Sequence, residues 1–126
     1  MSNQCDCNCS CDTPVIFIYS CSGAADTGEI SDLAARQLSK EKVGQMKCLA
    51  GIGGKIDDIL TEIDSADVII VIDGCQLDCA KHTFENAGIT DFIHLRVTDL
   101  GLEKSKSPAT KENVNIVVDK VKKILS

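Results

Sequence analysis

The chain has 126 residues, of which 44% are hydrophobic, 25% charged and 3% aromatic, as in a single globular domain with an aliphatic core. Its 13 basic and 19 acidic residues give a net charge of −6, and no basic cluster lies beside aromatic residues, which argues against a nucleic-acid partner. No apolar run approaches the roughly 20 residues of a membrane span. The first residues lack a signal-peptide pattern, so we expect a cytoplasmic protein without a membrane partner.

The first half of the chain predicts two strands and two helices. The β-branched and aromatic run VIFIYS indicates a buried strand that ends before Cys21. Asp26 and Glu29 match a capping box, and apolar residues at helical spacing then extend a helix toward Gly44. QMKCLA alternates weakly and predicts a second strand, GIGG is expected to form a tight turn, and a second helix follows from Ile56.

The second half repeats the alternation. VIIVID is the most apolar run and predicts a third strand, followed by a helix from about Cys79 to Asn86 that stops at Gly88. FIHLRV alternates as a half-buried strand does, and a C-terminal helix is expected to start near Ser107 to Thr110. The predicted order is β-α-β-α-β-α-β-α.

This order predicts a single doubly wound α/β domain over residues 14–126, with a flavodoxin- or Rossmann-like parallel four-stranded sheet and helices on both faces. The first and third strands are apolar throughout and should be central, whereas the mixed second and fourth should be edges. The expected strand order is therefore 2-1-3-4. Residues 1–13 are predicted to be a flexible, cysteine-rich tail.

The spacing of the cysteines places them at one edge of this sheet. Cys21, Cys48 and Cys75 follow one another at intervals of 27 residues, one βα unit each, so each should follow the end of a strand. Neighbouring strands lie about 4.8 Å apart, and Cys79, expected one turn into a helix, could close over the other three. Four thiolates would then converge at the carboxyl edge, where open α/β folds bind their ligands.

A closed set of four thiolates suits zinc, which prefers four tetrahedral ligands and accepts cysteine sulfur. Helix N-termini at this edge would favour thiolates. Gly74 would allow a sharp turn, and Asp73 could accept backbone N–H bonds that hold the loop. The sequence thus predicts a zinc-binding protein that acts in metal handling or sensing, although buried cysteines can also simply end strands.

These residues also carry a resemblance to a known family. IDGC followed by Cys79, together with YSCSG and CLAGIGG, resembles the DGC-domain family, which is named for its Asp-Gly-Cys motif and associated with zinc. The resemblance covers nearly the whole chain from Pro14. It implies four chelating cysteines at Cys21, Cys48, Cys75 and Cys79, and it leaves the biochemical role open.

The predicted tail has its own thiol pattern, because CDCNCSC would place alternate cysteines on one face of an extended chain. Such spacing suits Cu(I) or zinc, and one hypothesis is that the tail hands an ion to the fixed site. The metal ion is then the partner, and a metal-donor or metal-acceptor protein is compatible with this role. Incidental thiols on a disordered appendage are the alternative interpretation of Cys5, Cys7, Cys9 and Cys11.

Two other functions stay open. Four thiolates also hold a [4Fe–4S] cluster, and Cys75 with Cys79 could serve a thiol redox or sulfur-transfer enzyme, so enzymatic activity is undecided. A phosphatase-like loop is disfavoured, because the position six residues after Cys21 is Thr27 rather than arginine. His82 is a reserve ligand or, more often for such residues, a solvated helix histidine, and His94 is assigned no role.

Overall fold

The computed structural model describes residues 13–126, which form a four-stranded parallel sheet with helices on both faces. Short 3-10 turns follow the third helix at Ile63–Ser65 and the last strand at Val97–Leu100. The strands are β1 (Ile16–Ser20), β2 (Gln45–Met46), β3 (Val68–Asp73) and β4 (Ile93–Arg96). The helices are α1 (Asp26–Lys40), α2 (Leu49–Gly53), α3 (Asp57–Glu62), α4 (Cys79–Asn86) and α5 (Lys111–Leu125).

The strand order is β2-β1-β3-β4, which confirms the predicted 2-1-3-4 order and the α/β class. The central pair is the longest, because β1 and β3 run in parallel register from Ile16 opposite Val68 to Ser20 opposite Ile72. The edge strand β2 contributes only two residues to the sheet. Apolar side chains on both faces of β1 and β3 explain why these strands are central.

Each face of the sheet carries its own apolar core. On one face, α1 and α5 pack against the sheet through residues such as Leu38 and Val117, both fully buried. On the other, α2 to α4 cover Phe17 and Tyr19, with Phe84 of α4 against the Tyr19 ring at 4.8 Å between centroids. The helices on opposite faces bring their N-termini to the same carboxyl edge of the sheet.

The structure differs from the prediction after β2. The expected strand QMKCLA ends at Met46, and most of the expected glycine turn is the short helix α2. Glycine is tolerated there because a side chain on Gly51 would collide with Ile59 of α3, while Ile52 points into the core and is fully buried. Small size at one helical position therefore outweighs the poor helix propensity of glycine.

Among the residues that the structure describes, no helix has both the length and the apolar character that would let it cross a membrane.

Candidate functional site

All four cysteines of the described chain lie where strands give way to helices. Cys21 directly follows β1, Cys48 is the N-cap of α2, and Cys75 comes two residues after β3. Cys79 is the first residue of α4, rather than one turn into it. All four are free thiols, with Cys21 and Cys75 half-buried and Cys48 and Cys79 exposed. The carboxyl edge of the sheet therefore carries the four thiols.

The four sulfurs share this edge without meeting at one point. Within residues 13–126, no three of them lie within 4.8 Å of one another. Cys21 and Cys48 line a cavity of about 1000 Å³, whereas Cys75 lines a smaller one of about 450 Å³. Their joint role as metal ligands thus stays a prediction. Cys5, Cys7, Cys9 and Cys11 lie outside the described residues.

A hydrogen bond to sulfur joins two of the cysteine loops. The backbone N–H of Gly74 donates to Cys21 Sγ at 3.3 Å, and the hydroxyl of Ser31 lies 3.4 Å from the same sulfur. The backbone of Cys21 is fixed as well, since its N–H donates to the carbonyl of Ile72 on β3 at 3.0 Å. The Cys21 sulfur is thereby held against the residue that precedes Cys75.

Gly74 is required for close approach rather than for an unusual backbone angle. A Cβ at this position would lie 2.8 Å from the backbone nitrogen of Gly28 and 2.8 Å from the carbonyl carbon of Thr27. Both atoms belong to the rigid first turn of α1 and cannot swing aside. The missing side chain lets the turn after β3 pack directly on the start of α1, next to Cys21.

Asp73 holds the start of α4, as the sequence had suggested. Its buried carboxylate accepts the N–H of Ala80 at 2.7 Å and that of Lys81 at 3.0 Å. Residue Asp78 occupies the N-cap position but makes no side-chain cap bond, because it has a left-handed backbone with φ of 55°. The last residue of β3 therefore caps α4 in place of its neighbour, and it fixes the turn that carries Cys75 and Cys79.

Two residues on β4 complete a polar cluster behind this turn, and neither was assigned a role from the sequence. His94 Nε2 lies 2.8 Å from Asp73 Oδ2 and 3.6 Å from Asp78 Oδ1. Arg96 donates from Nε and Nη2 to the two oxygens of Asp78 at 2.9 and 2.7 Å. The alternation of FIHLRV placed His94 and Arg96 on one side of β4, but it could not identify carboxylates that are distant in sequence.

The polar cluster is better explained as structural than as a metal site. Asp73, Asp78 and His94 offer ligand atoms within 4.8 Å of one another. However, the oxygens of Asp73 already accept two helix N–H bonds, and the paired guanidinium of Arg96 opposes a second cation. The hydrogen bond from Arg96 holds the pKa of Asp78 below its usual range. This arrangement locks α4 onto β4.

A loop before α5 brings a cation to Cys75. Lys104 Nζ lies 3.9 Å from Cys75 Sγ. Asp26 anchors that loop, since its carboxylate accepts the N–H groups of Ser105 at 2.9 Å and Ser107 at 3.2 Å. The predicted capping box is wrong in this respect, because α1 begins at Asp26, has Ala25 as its N-cap and shows no side-chain cap bond. The loop therefore holds a positive charge beside the Cys75 sulfur.

His82 behaves as an ordinary surface histidine. Its side chain is 65% exposed, and Nδ1 lies 3.4 Å from a carboxylate oxygen of Glu85 one turn further along α4. This placement favours the solvated interpretation over that of a reserve ligand.

The fold and its edge define a class of protein: a doubly wound α/β domain with cysteines where successive strands meet their helices. The chain belongs to the DGC-domain family, whose domain matches residues 17–121. It is also similar to the Anaerobic and virulence modulator AnvM of Pseudomonas aeruginosa, with 30% identity over 93 residues that cover 74% of this chain and 71% of AnvM. No solved structure matches the chain.

Proposed function

We propose that this protein binds one zinc ion through Cys21, Cys48, Cys75 and Cys79 and acts in metal handling or sensing. The observation that carries the proposal is the 3.3 Å hydrogen bond from the Gly74 N–H to Cys21 Sγ. It ties the first cysteine loop to the Asp-Gly-Cys turn, and N–H bonds to sulfur are typical partners of metal-bound thiolates. Membership of the DGC-domain family supports the same ligand set.

The donor chemistry fits zinc, and the accessible thiols can complete the set. Four zinc-bound thiolates have sulfurs roughly 3.8 Å apart. In the described chain no three of the sulfurs lie within 4.8 Å of one another, so the site must close around the ion. Cys21 is fixed by its bond to Gly74, so closure depends on Cys48 and Cys79. Both are exposed and stand at the start of a helix, where a side chain can change its rotamer without disturbing the core.

A cation near Cys75 also balances part of the negative charge that such a zinc site would carry. Zinc with four thiolates carries a net charge of about −2, which is unfavourable in a chain that already has a net charge of −6. The Lys104 ammonium beside the Cys75 sulfur offsets part of this charge. Bound zinc would hold three successive βα loops together. The loops at the carboxyl edge of the sheet would therefore be more ordered with zinc than without it.

Cobalt substitution tests the ligand set directly, because thiolates bound to Co²⁺ give sulfur-to-metal charge-transfer absorption. The starting protein is the full chain with Cys5, Cys7, Cys9 and Cys11 replaced by serine, so that only the four edge thiols can contribute. We expect saturation near one Co²⁺ per chain and the absorption of a tetrahedral thiolate site. Zinc should then displace the cobalt.

Single substitutions of the edge cysteines supply the comparison. Cys75→Ser should weaken the charge-transfer absorption and lower the affinity for zinc by at least about tenfold, as expected when a ligand is lost. Thr61→Ser is the control, because Thr61 lies exposed on α3, away from the four cysteines. Equal cobalt spectra for Cys75→Ser and for the control would contradict the proposed ligand set, and iron with acid-labile sulfide in the purified protein would replace zinc by a cluster.

A second candidate function is thiol redox chemistry at Cys75 and Cys79, favoured by the lysine 3.9 Å from the Cys75 sulfur. In that reaction the two thiols would form a disulfide, and two electrons and two protons would pass to a substrate disulfide. If so, iodoacetamide should modify Cys75 of the metal-free protein much faster than Cys48, and Lys104→Gln should remove the difference. Similar rates would speak against this function.

The relative AnvM is named an anaerobic and virulence modulator. We extend a regulatory role to this chain as part of the proposal. Sensing a metal is consistent with it, because an ion that orders three loops changes the surface that another molecule meets.

A further inference from the structure

The cavity of about 1000 Å³ beside Cys21 and Cys48 differs from the rest of this acidic protein in its charge. Its walls carry three cationic side chains, Arg36, Lys40 and Lys47, and a single carboxylate, Asp32. The whole chain, in contrast, has 19 acidic and 13 basic residues. Although the molecule as a whole is negative, the local positive charge of this cavity attracts small anions.

Part of this positive charge is not used by the protein itself. Arg36 donates a hydrogen bond from Nε to the Asp32 carboxylate at 2.7 Å. In the described chain, its two terminal nitrogens have no side-chain partner. Lys40 makes no ion pair with any described residue, while Lys47 lies 3.6 Å from Glu62. The terminal nitrogens of a guanidinium form the face that binds a carboxylate or phosphate bidentately.

Hydroxyl groups continue the polar lining toward the thiols. The hydroxyls of Ser20 and Ser22 lie 2.7 Å apart at the end of β1, and Ser22 donates to Asp32 at 2.8 Å. Ser39 accepts the N–H of Met46 at 3.2 Å, which leaves its own proton available to a ligand. Cations on α1, hydroxyls and two thiols thus surround a space at the upper end of the range for small-molecule sites, roughly 300–1,000 Å³.

We propose that this cavity binds a small oxyanionic molecule, a phosphate or a dicarboxylate, through Arg36 and Lys40, and places it against Cys48. The site does not depend on zinc, because none of these cations is a metal ligand. A phosphorylated metabolite and a dicarboxylate offer the same charged oxygens, and the two kinds of ligand are distinguished below. The anion would make the thiol edge responsive to a metabolite as well as to a metal.

Binding is measured by amide NMR shifts of the metal-free, reduced full-length chain in Tris chloride, with inorganic phosphate and succinate as separate probes. We expect saturable shifts in the millimolar range or tighter for at least one probe. A preference for phosphate would assign a phosphorylated ligand, and a preference for succinate a dicarboxylate. The absence of saturable shifts with both probes would overturn the proposal.

Charge variants decide whether the cavity is responsible. Arg36→Gln combined with Lys40→Gln should weaken binding by about tenfold or more, because two nearby charges are lost. Lys120→Gln, on the exposed side of α5, should bind as the parent does, and Arg36→Lys with Lys40→Arg should retain binding. The Arg36 side chain is 59% exposed, so folding should survive these changes. Equal affinity of the double glutamine variant and the parent would refute the site.

Alkylation of two exposed thiols gives an independent readout. Cys48 lines the cavity and Cys79 does not. A saturating concentration of the binding probe should slow iodoacetamide modification of Cys48 several-fold and leave that of Cys79 unchanged. Equal rates with and without the probe at both thiols would contradict placement of the anion against Cys48. Zinc content measured on the same variants should be unaffected, so loss of anion binding and loss of metal binding are separate results.

Discussion

Replacement of Asp73 by asparagine tests whether a buried carboxylate holds the Asp-Gly-Cys turn. Asp73 is 1% exposed at its side chain and receives N–H bonds from Ala80 at 2.7 Å and Lys81 at 3.0 Å. His94 lies 2.8 Å from the same carboxylate. Asparagine keeps the shape, but it has one accepting oxygen instead of two and presents an NH₂ group that can only donate.

The expected loss of stability follows from these contacts. One helix N–H of α4 would face the new NH₂ group, and an unsatisfied buried N–H costs about 1–3 kcal/mol. The bond to His94 loses its charged acceptor, which is worth about 1.5–3 kcal/mol, although water recovers part of this because His94 is 19% exposed. We therefore expect Asp73→Asn to lower the free energy of unfolding by about 2–4 kcal/mol and the Tm by about 6–16 °C.

Urea and thermal unfolding of the metal-free protein measure this change without a contribution from zinc binding. Asp91→Asn is the matched control, because Asp91 is exposed and its side chain makes no hydrogen bond within the described chain. The control should lie within about 0.5 kcal/mol of the parent. An Asp73→Asn protein that unfolds at the parent's midpoint would refute the capping role, and the cysteine turn would then need another support.

Three further changes probe the same edge and the core below it. A Cβ on Gly74 would lie 2.8 Å from the Gly28 nitrogen, so Gly74→Ala should cost about 1–3 kcal/mol in urea unfolding, and an unchanged midpoint would contradict the close approach. The hydrogen bond from Arg96 holds the pKa of Asp78 below its usual range, so the pair stabilises the fold above about pH 4 and loses this effect as the pH falls through the folded-state pKa. Arg96→Gln should accordingly lower the urea midpoint more at neutral pH than in acid, where Asp78 becomes protonated, and a pH-independent difference would count against the ion pair. Burial raises the pKa of Tyr19, the single tyrosine, to about 12, which ultraviolet titration can follow, and the corresponding stability should fall as the pH rises from about 10 to about 12. Tyr19→Phe removes a buried hydroxyl that has no partner in the described chain, so it should leave the Tm unchanged or higher, whereas a clear loss of stability would imply a missing partner.

The sheet was predictable because a strand that is buried on both faces has a continuous run of apolar residues in the sequence. Continuous apolar runs identified β1 and β3 as central strands, and mixed runs identified the edges. The start of α5 was also accessible, since Thr110 is its N-cap and accepts the N–H of Asn113 at 3.2 Å. In both cases the decisive interactions are local or depend only on the apolar pattern.

The polar contacts of the edge were predictable only where the partners are close in sequence. Asp73 was expected to accept N–H groups from the following turn, and it does so seven and eight residues away. Asp26 was expected to cap α1 locally, but its carboxylate binds a loop 79 and 81 residues away. His94 was given no role because alternation indicates which side of a strand a residue occupies, but it does not identify the side chains that the residue contacts there.

The cysteines show both what could be predicted from the sequence and what could not. Their regular spacing predicted a common edge, because one βα unit returns the chain to the same end of a parallel sheet. It could not predict side-chain distances, which depend on where the short helix α2 begins and on the left-handed residue before α4. Proximity along one edge is a property of topology, whereas a metal site requires geometry to within tenths of an ångström.

Zinc content by elemental mass spectrometry on anaerobically purified protein tests the central claim most directly. The samples are the parent, a tail variant with Cys5, Cys7, Cys9 and Cys11 changed to serine, and an edge variant in which the four edge cysteines are changed to serine as well as those of the tail. We predict about one zinc per chain in the tail variant and none above background in the edge variant that also lacks the tail thiols. Zinc that remains with the edge thiols removed, or that is lost with the tail thiols alone, would contradict a zinc site at the edge of this sheet.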